Sequence, residues 1–231
     1  MYKEFCSSKE KTQVLKGIDL EIYAGDFTTI MGPSGSGKST LLYCISGMDK
    51  LTEGEVLYNN ECISKYSEKK MALLRRGDFG FVFQQIHLVS NLTLFENVAV
   101  PGYLNSSKTN LQINKRAEKL LTSVNLKDRM KHLPSQVSGG EQQRAAVARA
   151  LINEPKLLFA DKPTGALNRK NTEEVLELFS KINDAGQSIL MVTHDVRIAS
   201  RATEIIKLQV IIKVLIKQEC SFQCYCRECI G

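Results

Sequence analysis

Residues 32–40 read GPSGSGKST, and this short stretch decides the fold. Residues 27–31, FTTIM, form the apolar, β-branched run typical of a buried strand, and residues 39–47, STLLYCISG, favour a helix that ends at a glycine. The spacing GxxxxGK[ST] between a strand and a helix is typical of a phosphate-binding loop. The alternative is a glycine-rich loop that matches the spacing by chance, but such a loop would have no reason to lie between a strand and a helix. Glycines let successive backbone N–H groups face phosphate oxygens, and the positive end of the helix points to the same anion. The sequence therefore predicts a nucleoside triphosphate site.

The polar residues of this loop have expected roles at the triphosphate. Lys38 supplies a positive charge to the β- and γ-phosphates, and Ser39 offers its hydroxyl to Mg²⁺. Thr40 is expected to contact the α-phosphate. The predicted cofactor-binding residues of the loop are Gly32, Pro33, Ser34, Gly35, Ser36, Gly37, Lys38, Ser39 and Thr40.

Buried strands and helices alternate along the rest of the chain. Strands are predicted at residues 14–23, 55–58, 80–83, 157–160 and 188–192, and helices at 94–130 with a polar break at 105–110, at 138–151 and at 172–185. Short, continuously apolar strands between helices indicate a parallel sheet covered on both faces. We therefore predict an α/β fold with a mostly parallel core sheet, a small antiparallel part near the N-terminus and a helical subdomain at about residues 90–150.

Two further features suit a nucleotide site. Asp161 follows the apolar run LLFA, so its carboxylate lies at the carboxyl end of a buried strand, where it can help hold Mg²⁺. Ser138 precedes two glycines at the start of a helix, which makes that end receptive to an anion. This helix would reach the same phosphates only with awkward folding, whereas a second copy of the protein could supply it. The alternative for Asp161 is an ordinary aspartate in a turn at the end of a strand. The alternative for Ser138 is a residue that only caps its own helix.

Composition excludes several classes of function. No run of 18 apolar residues is present, and the first residues have no apolar signal region, so we expect a cytoplasmic protein whose membrane role depends on a partner. The net charge is +6, but no block of like charges indicates a nucleic-acid tail, and no nucleic-acid partner is expected. Cys6, Cys44 and Cys62 are scattered along the chain in the manner of reduced thiols.

These residues together resemble the nucleotide-binding subunit of an ABC transporter. GPSGSGKST matches the family's Walker A motif, VSGGEQQRAAVARAL at 137–151 matches its signature motif, and LLFAD at 157–161 matches Walker B. The likeness covers roughly residues 1–205 and is greatest for the branch that serves lipoprotein release, macrolide export and bacitracin-type antimicrobial-peptide resistance. It implies a P-loop NTPase fold of the ABC type.

The resemblance also implies further site residues. Gln84 matches a glutamine that contacts Mg²⁺ and water, so the implied metal site contains Ser39, Gln84 and Asp161. His194 matches a histidine that contacts the γ-phosphate, and Phe5 falls where an aromatic ring stacks on adenine, with Tyr2 as the other candidate. Each ATP would lie between Walker A of one subunit and the signature residues of the other, which are Ser138, Gly139, Gly140, Glu141 and Gln142.

One residue departs from the family pattern at the catalytic position. The family has glutamate after the Walker B aspartate, and this chain has Lys162. A charged lysine cannot accept a proton from the attacking water, and its charge reverses the local field. We therefore predict a chain that binds Mg-ATP and hydrolyses it poorly, unless another carboxylate or His194 acts as the base.

The tail is the second departure. Residues 206–231 lack the family's usual ending, and Cys220, Cys224, Cys226 and Cys229 crowd into it. The abrupt change of composition indicates a shifted reading frame or a replaced terminus. The alternative is a zinc site with four thiolate ligands, although the spacing is not that of a standard zinc knuckle.

The main functional hypothesis is the ATP-binding subunit, an ATPase, of an ABC transporter for export or antimicrobial-peptide resistance. It would be peripheral on the inner face of the cell membrane and pair with a permease and with an identical or related ATP-binding subunit. Residues 85–101 would form part of the groove for the permease, with Leu88, Leu92 and Phe95 in contact or, equally, in core packing. One alternative is a hydrolysis-deficient regulatory or degenerate module, which Lys162 and the tail favour. Another is an ABC ATPase of DNA repair or translation, but such proteins have tandem cassettes or long inserted coils.

Overall fold

A computed structural model describes residues 1–6, 11–105, 108–193, 195, 202–207 and 220–224. The chain forms two compact units. Unit 1 is Met1–Ala72 with Ser188–Gly231, and unit 2 is Leu73–Gln187. The strands are β1 (Lys3–Cys6), β2 (Lys11–Leu15), β3 (Leu20–Tyr23), β4 (Phe27–Met31), β5 (Leu57–Tyr58), β6 (Glu61–Cys62), β7 (Phe79–Phe83), β8 (Leu157–Asp161), β9 (Ser188–Val192), β10 (Glu204–Lys207) and β11 (Cys220–Cys224). The α-helices are α1 (Lys38–Ile45), α2 (Glu68–Gly77), α3 (Leu94–Tyr103), α4 (Asn110–Ser123), α5 (Gly139–Ala150) and α6 (Arg169–Asp184).

The strand that leads into the phosphate-loop sequence, β4, belongs to the parallel strands of unit 1. β4 lies between β9 and β10 and runs parallel to both, with Thr28 opposite Leu190 on one side and Glu204 on the other. Four of the five β4 residues and all five of β9 are buried, which agrees with their mostly apolar or β-branched sequences. The expected strand at 27–31, the helix after the loop and the strand at 188–192 are therefore confirmed.

The antiparallel part of unit 1 has two pieces. β1 pairs with β2, and a four-stranded sheet has the order β3, β11, β5, β6. In that sheet the backbone of Phe222 in β11 is opposite both Ile22 in β3 and Tyr58 in β5. The small antiparallel part is thus present, and it includes a strand from the tail as well as strands from the N-terminal part.

Unit 2 contains a second parallel pair and most of the helices. β7 and β8 are paired in register from Phe79 opposite Leu157 to Phe83 opposite Asp161. The ring of Phe159 lies 5.1 Å from that of Phe79 and 5.3 Å from that of Phe81, so aromatic packing stabilises this pair. The residue just before each of the helices α3, α4 and α5 forms reciprocal hydrogen bonds with the third residue of the helix. These capping residues are Thr93, Thr109 and Ser138. These helices bear out the predicted helical segments, except that α4 ends at Ser123 and does not continue to residue 130.

Two local predictions differ from the structure. The sequence predicts one strand over residues 14–23, whereas β2 ends at Leu15 and β3 begins at Leu20. Gly17 lies between them with φ +66°, a left-handed conformation that a continuous strand cannot contain. α2 has no counterpart in the prediction: half of its residues, EKKMALLRRG, are charged, and Met71 is its one buried residue. No described helix combines the length and the apolar character needed to cross a membrane.

Gly80 in β7 leaves no room for a side chain in the packing of unit 2. A Cβ at this position would lie 2.7 Å from the carbonyl oxygen of Ala150 and 2.9 Å from Leu158 Cδ1. We expect Gly80→Ala to lower the free energy of unfolding by about 1–3 kcal/mol, because a backbone atom would have to move. Urea unfolding measures this loss. The control is Gly77→Ala, whose Cβ would meet no atom within 4 Å. An equal loss in the two variants would contradict this account.

Candidate functional site

The phosphate-loop residues of unit 1 adopt the conformation that the glycine spacing predicts. Gly35 and Gly37 have φ of +79° and +86°, values that favour glycine. Gly37 precedes the first residue of α1, and a Cβ there would lie 2.8 Å from Val14 Cγ1 and 3.1 Å from its carbonyl oxygen. Glycine is therefore required at this position by both its φ and its contact with β2.

Lys38 connects the start of α1 with the rest of the loop. Its side chain extends back over the loop, where Nζ donates to the Pro33 carbonyl oxygen at 2.6 Å and to Ser36 Oγ at 3.2 Å. The residue is only 4% exposed. A buried ammonium group needs compensating polar partners, and an anion is the strongest such partner. The N-terminus of α1 beside it also favours negative charge, so this loop attracts anions strongly.

The end of β8 carries the second group of predicted residues, in unit 2. Asp161 is the last residue of the strand and is buried. Lys162 follows with φ +46°, an uncommon value for a residue with a side chain, and its carbonyl oxygen accepts a hydrogen bond from the Gly165 N–H at 3.0 Å. The chain therefore turns sharply directly after Asp161, and Lys162 is half-buried at that turn.

Gln84 lies against this same turn. It is the first residue after β7, and its Nε2 would be 2.8 Å from a Cβ built on Gly165. The absence of a side chain at Gly165 thus allows the Gln84 amide to pack on the backbone of the segment that follows Asp161. Two of the predicted catalytic positions, Gln84 and Lys162, are consequently brought to neighbouring segments of unit 2.

The signature-like residues form the capped start of α5. Ser138 Oγ accepts from the Glu141 N–H at 3.3 Å, and Glu141 Oε2 accepts from both the N–H and the hydroxyl of Ser138, at 2.8 and 2.7 Å. Hydrogen bonds from the Ser138 side chain and then its backbone lower the pKa of the Glu141 carboxyl. Ser138 and Gly139 remain exposed, whereas Gln142 turns inward and donates to the Pro134 carbonyl oxygen at 2.9 Å.

The aromatic candidates differ in their surroundings. Phe5 is 46% exposed, and Lys3 Nζ lies 4.9 Å from its ring centroid. The ring of Tyr2 packs on Gly17, where a Cβ would lie 3.0 Å from its hydroxyl oxygen. Of the two rings, that of Phe5 is therefore the freer to stack on a base. His194 and the side chains of the tail cysteines lie outside the described residues.

A cleft of about 670 Å³ lies elsewhere in unit 1. Cys44, Met48 and Met71 are among its lining residues, and none of the loop residues 32–40 is. Burial, and to a smaller extent the nearby charge of Asp49, raise the pKa of the Cys44 thiol to about 11. Cys44 is therefore a protonated, unreactive thiol at neutral pH. Within the described part of the chain, no group of three His, Cys, Asp or Glu side chains could hold a metal ion.

Two residues of α5 were missed by the sequence analysis. The side chains of Gln143 and Arg149 donate hydrogen bonds to backbone carbonyl oxygens of the segment around Gln84. The available signal was a glutamine and an arginine within an otherwise alanine-rich helix, where buried polar side chains require partners. That signal does not identify the partners, because they are backbone carbonyls about 60 residues away in the sequence.

Comparisons with known proteins indicate the family of the chain. The family described as ABC transporter matches residues 15–165. The chain is 48% identical over 187 residues to the lipoprotein-releasing system ATP-binding protein LolD of Aquifex aeolicus, covering 81% of this chain and 83% of that protein. It is 45% identical over 197 residues to the macrolide export ATP-binding/permease protein MacB of Wolinella succinogenes, covering 85% of this chain but 30% of that longer protein.

A solved structure is similar over nearly the whole chain. It is the dimer of an ATP-binding cassette in a post-hydrolysis state, bound to ADP and Pi. Its TM-score is 0.82 at 40% sequence identity, with 90% of this chain and 91% of that chain covered. The likeness confirms the predicted P-loop NTPase fold.

Proposed function

The chain belongs to the ABC transporter family, and on that basis we propose that it binds Mg-ATP in the loop at residues 32–40 and closes on it with a second ATP-binding subunit. It is the ATP-binding subunit of an ABC transporter, a member of a family of ATPases, and it acts with a membrane permease. The regulatory-module alternative gains no support over this function from the relatives.

The placement of Lys38 carries the nucleotide proposal. A buried ammonium group that caps its own loop, next to the N-terminus of α1, supplies charge and N–H donors to a bound triphosphate. When ATP binds, its β- and γ-phosphate oxygens would accept the hydrogen bonds that Lys38 Nζ now donates to Pro33 and Ser36. ATP would thus replace hydrogen bonds from Lys38 to neutral oxygens with stronger contacts to negatively charged phosphate oxygens.

The proposed magnesium ligands fit the ion chemically. Ser39, Gln84 and Asp161 offer hydroxyl, amide and carboxylate oxygens, which are the hard donors that Mg²⁺ accepts beside phosphate oxygens. Bound Mg²⁺ would neutralise charge that develops on the phosphates during hydrolysis. Asp161 is buried at the end of β8, so its carboxylate is held in a fixed place for this role.

The subunit is proposed to lie on the inner face of the membrane, where it contacts the permease. Leu88, Leu92 and Phe95, which follow Gln84, are half-buried and thus partly available for that contact. The relatives named for lipoprotein release and macrolide export support export as the transport reaction. Phe5 is proposed to stack on the adenine, and His194 to contact the γ-phosphate.

Charge at the start of α5 provides the test of the two-subunit site. Gly139 is exposed at the first position of α5, and a Cβ there would make only an ordinary contact with Leu167 Cδ2 at 3.8 Å. We expect Gly139→Asp to weaken ATP-dependent dimerisation at least roughly tenfold more than the isosteric Gly139→Asn, because only the aspartate repels phosphate. The extra carboxylate is favourable for the helix itself.

Light scattering with and without Mg-ATP measures the dimerisation. The wild type is expected to double its molar mass with Mg-ATP, and both variants should retain ATP binding to the loop of unit 1. Equal dimerisation of the aspartate and asparagine variants would contradict the proposed role of the α5 N-terminus.

A further inference from the structure

Polar side chains of α5 hold the backbone of the segment that contains Gln84. Gln143, which is 1% exposed, donates from Nε2 to the carbonyl oxygen of Phe83 at 3.2 Å. Arg149 donates from Nη1 to the carbonyl oxygen of His87 at 2.6 Å and from Nη2 to that of Ile86 at 2.9 Å. The backbone is therefore fixed immediately before Gln84 and two to three residues after it.

The held conformation is one that the segment would not favour alone. His87 has φ +50°, which costs energy for a residue with a side chain. Burial also lowers the pKa of the Arg149 guanidinium, which shows that its charge is partly removed from water. An unfavourable backbone angle and a partly desolvated cation persist together because the two carbonyl hydrogen bonds satisfy both.

The following residues are fixed in a similar way. The buried Asn97 donates from Nδ2 to the carbonyl oxygens of Val89 and Leu92 at 3.1 and 3.0 Å, and its Oδ1 accepts from the Val89 N–H at 2.7 Å. From Phe83 to Leu92, the backbone of this segment is thus attached to α5 and α3.

α5 connects this segment with the capped end at Ser138. It is a continuous helix of 12 residues, and at 1.5 Å per residue its length is roughly 18 Å. Ala145, Ala146 and Ala148 in its interior are fully buried, so the helix is closely packed against its neighbours.

We propose that Gln143 and Arg149 are positioning residues that set the place of the Gln84 amide. The inference rests on the proposed function, because Gln84 acts there as a magnesium ligand. Both residues bind backbone carbonyls, so they fix the course of the segment whatever its side chains are. Arginine is suited to this task because its planar fork reaches two successive carbonyls, whereas lysine offers a point charge.

The test compares Arg149→Lys with a matched control. Arg116 also donates to two successive carbonyl oxygens, those of Ile152 and Leu151, both at 2.8 Å, but these carbonyls follow α5 and do not belong to the Gln84 segment. Calorimetry measures the affinity for ATP with Mg²⁺ and with EDTA, and the ratio of the two affinities reports on the magnesium site. A purely structural role would lower the melting temperature without changing this ratio.

We expect Arg149→Lys to reduce the magnesium enhancement roughly tenfold or more, as is typical when a residue that orients a metal ligand is lost. Its affinity for ATP in EDTA should stay within about twofold, since the loop at residues 32–40 is untouched. Arg116→Lys should keep the wild-type ratio. If Arg149→Lys does not fold, Gln143→Met decides, because it removes only the donor to Phe83 and should shift the ratio in the same direction.

Three outcomes would overturn the inference. The first is a folded Arg149→Lys variant in which the ratio of ATP affinity with Mg²⁺ to that in EDTA is unchanged, and the second is the same result in Gln143→Met. The third is a fall of this ratio in Arg116→Lys that equals the fall in Arg149→Lys. A wild type that binds no ATP in either buffer would overturn the proposed function itself, which distinguishes the two failures.

Discussion

Lys162→Glu is expected to raise steady-state phosphate release by about 10²–10⁴-fold, the usual contribution of a positioned general base. Lys162 directly follows the buried Asp161, at a turn against which the Gln84 amide packs. A carboxylate at this position can accept the proton of the attacking water, and a lysine cation cannot. Because the left-handed φ is a property of the turn, glutamate should adopt the same backbone as lysine.

Lys162→Gln is the matched control for this prediction. It removes the positive charge and has nearly the shape of glutamate, but it provides no base. We expect its rate to stay close to that of the wild type, well below Lys162→Glu. A wild type that turns over as fast as Lys162→Glu would show that another carboxylate or His194 acts as the base.

Lys38→Met is expected to weaken ATP binding by about 100-fold or more, because two charge-assisted contacts with the phosphates are lost. Methionine preserves most of the apolar stem of this buried side chain, so the fold should persist. Lys16→Met provides the control, since Lys16 is exposed in the same unit and lies outside the loop. Calorimetry on the two variants measures the difference, and a similar affinity in both would contradict the role of Lys38.

The parts of the fold that sequence predicts well are those determined locally. The phosphate loop follows from glycine positions, from the apolar run before it and from the helix after it, and all three lie within about twenty residues. The capped start of α5 follows in the same way from Ser138 and Glu141, which are three residues apart. Local chemistry decides both structures, so no distant contact is needed to foresee them.

The parts that sequence does not predict depend on distant partners. Alternating residues at 14–23 suggest one strand, but Gly17 packs against Tyr2 and turns the chain. Arg149 binds carbonyls 62 and 63 residues away, and a backbone acceptor leaves no trace in the sequence. β11 joins β3 and β5 through backbone pairing, which residue types in the tail do not specify.

Titration of Mg-ATP into the wild-type chain, followed by calorimetry, is the most direct test of the central claim that the loop closed by Lys38 holds a nucleoside triphosphate. The account predicts saturable heat with one nucleotide bound per chain, and loss of that heat in Lys38→Met. A well-folded wild type that gives no heat, or the same heat from Lys38→Met, would contradict it.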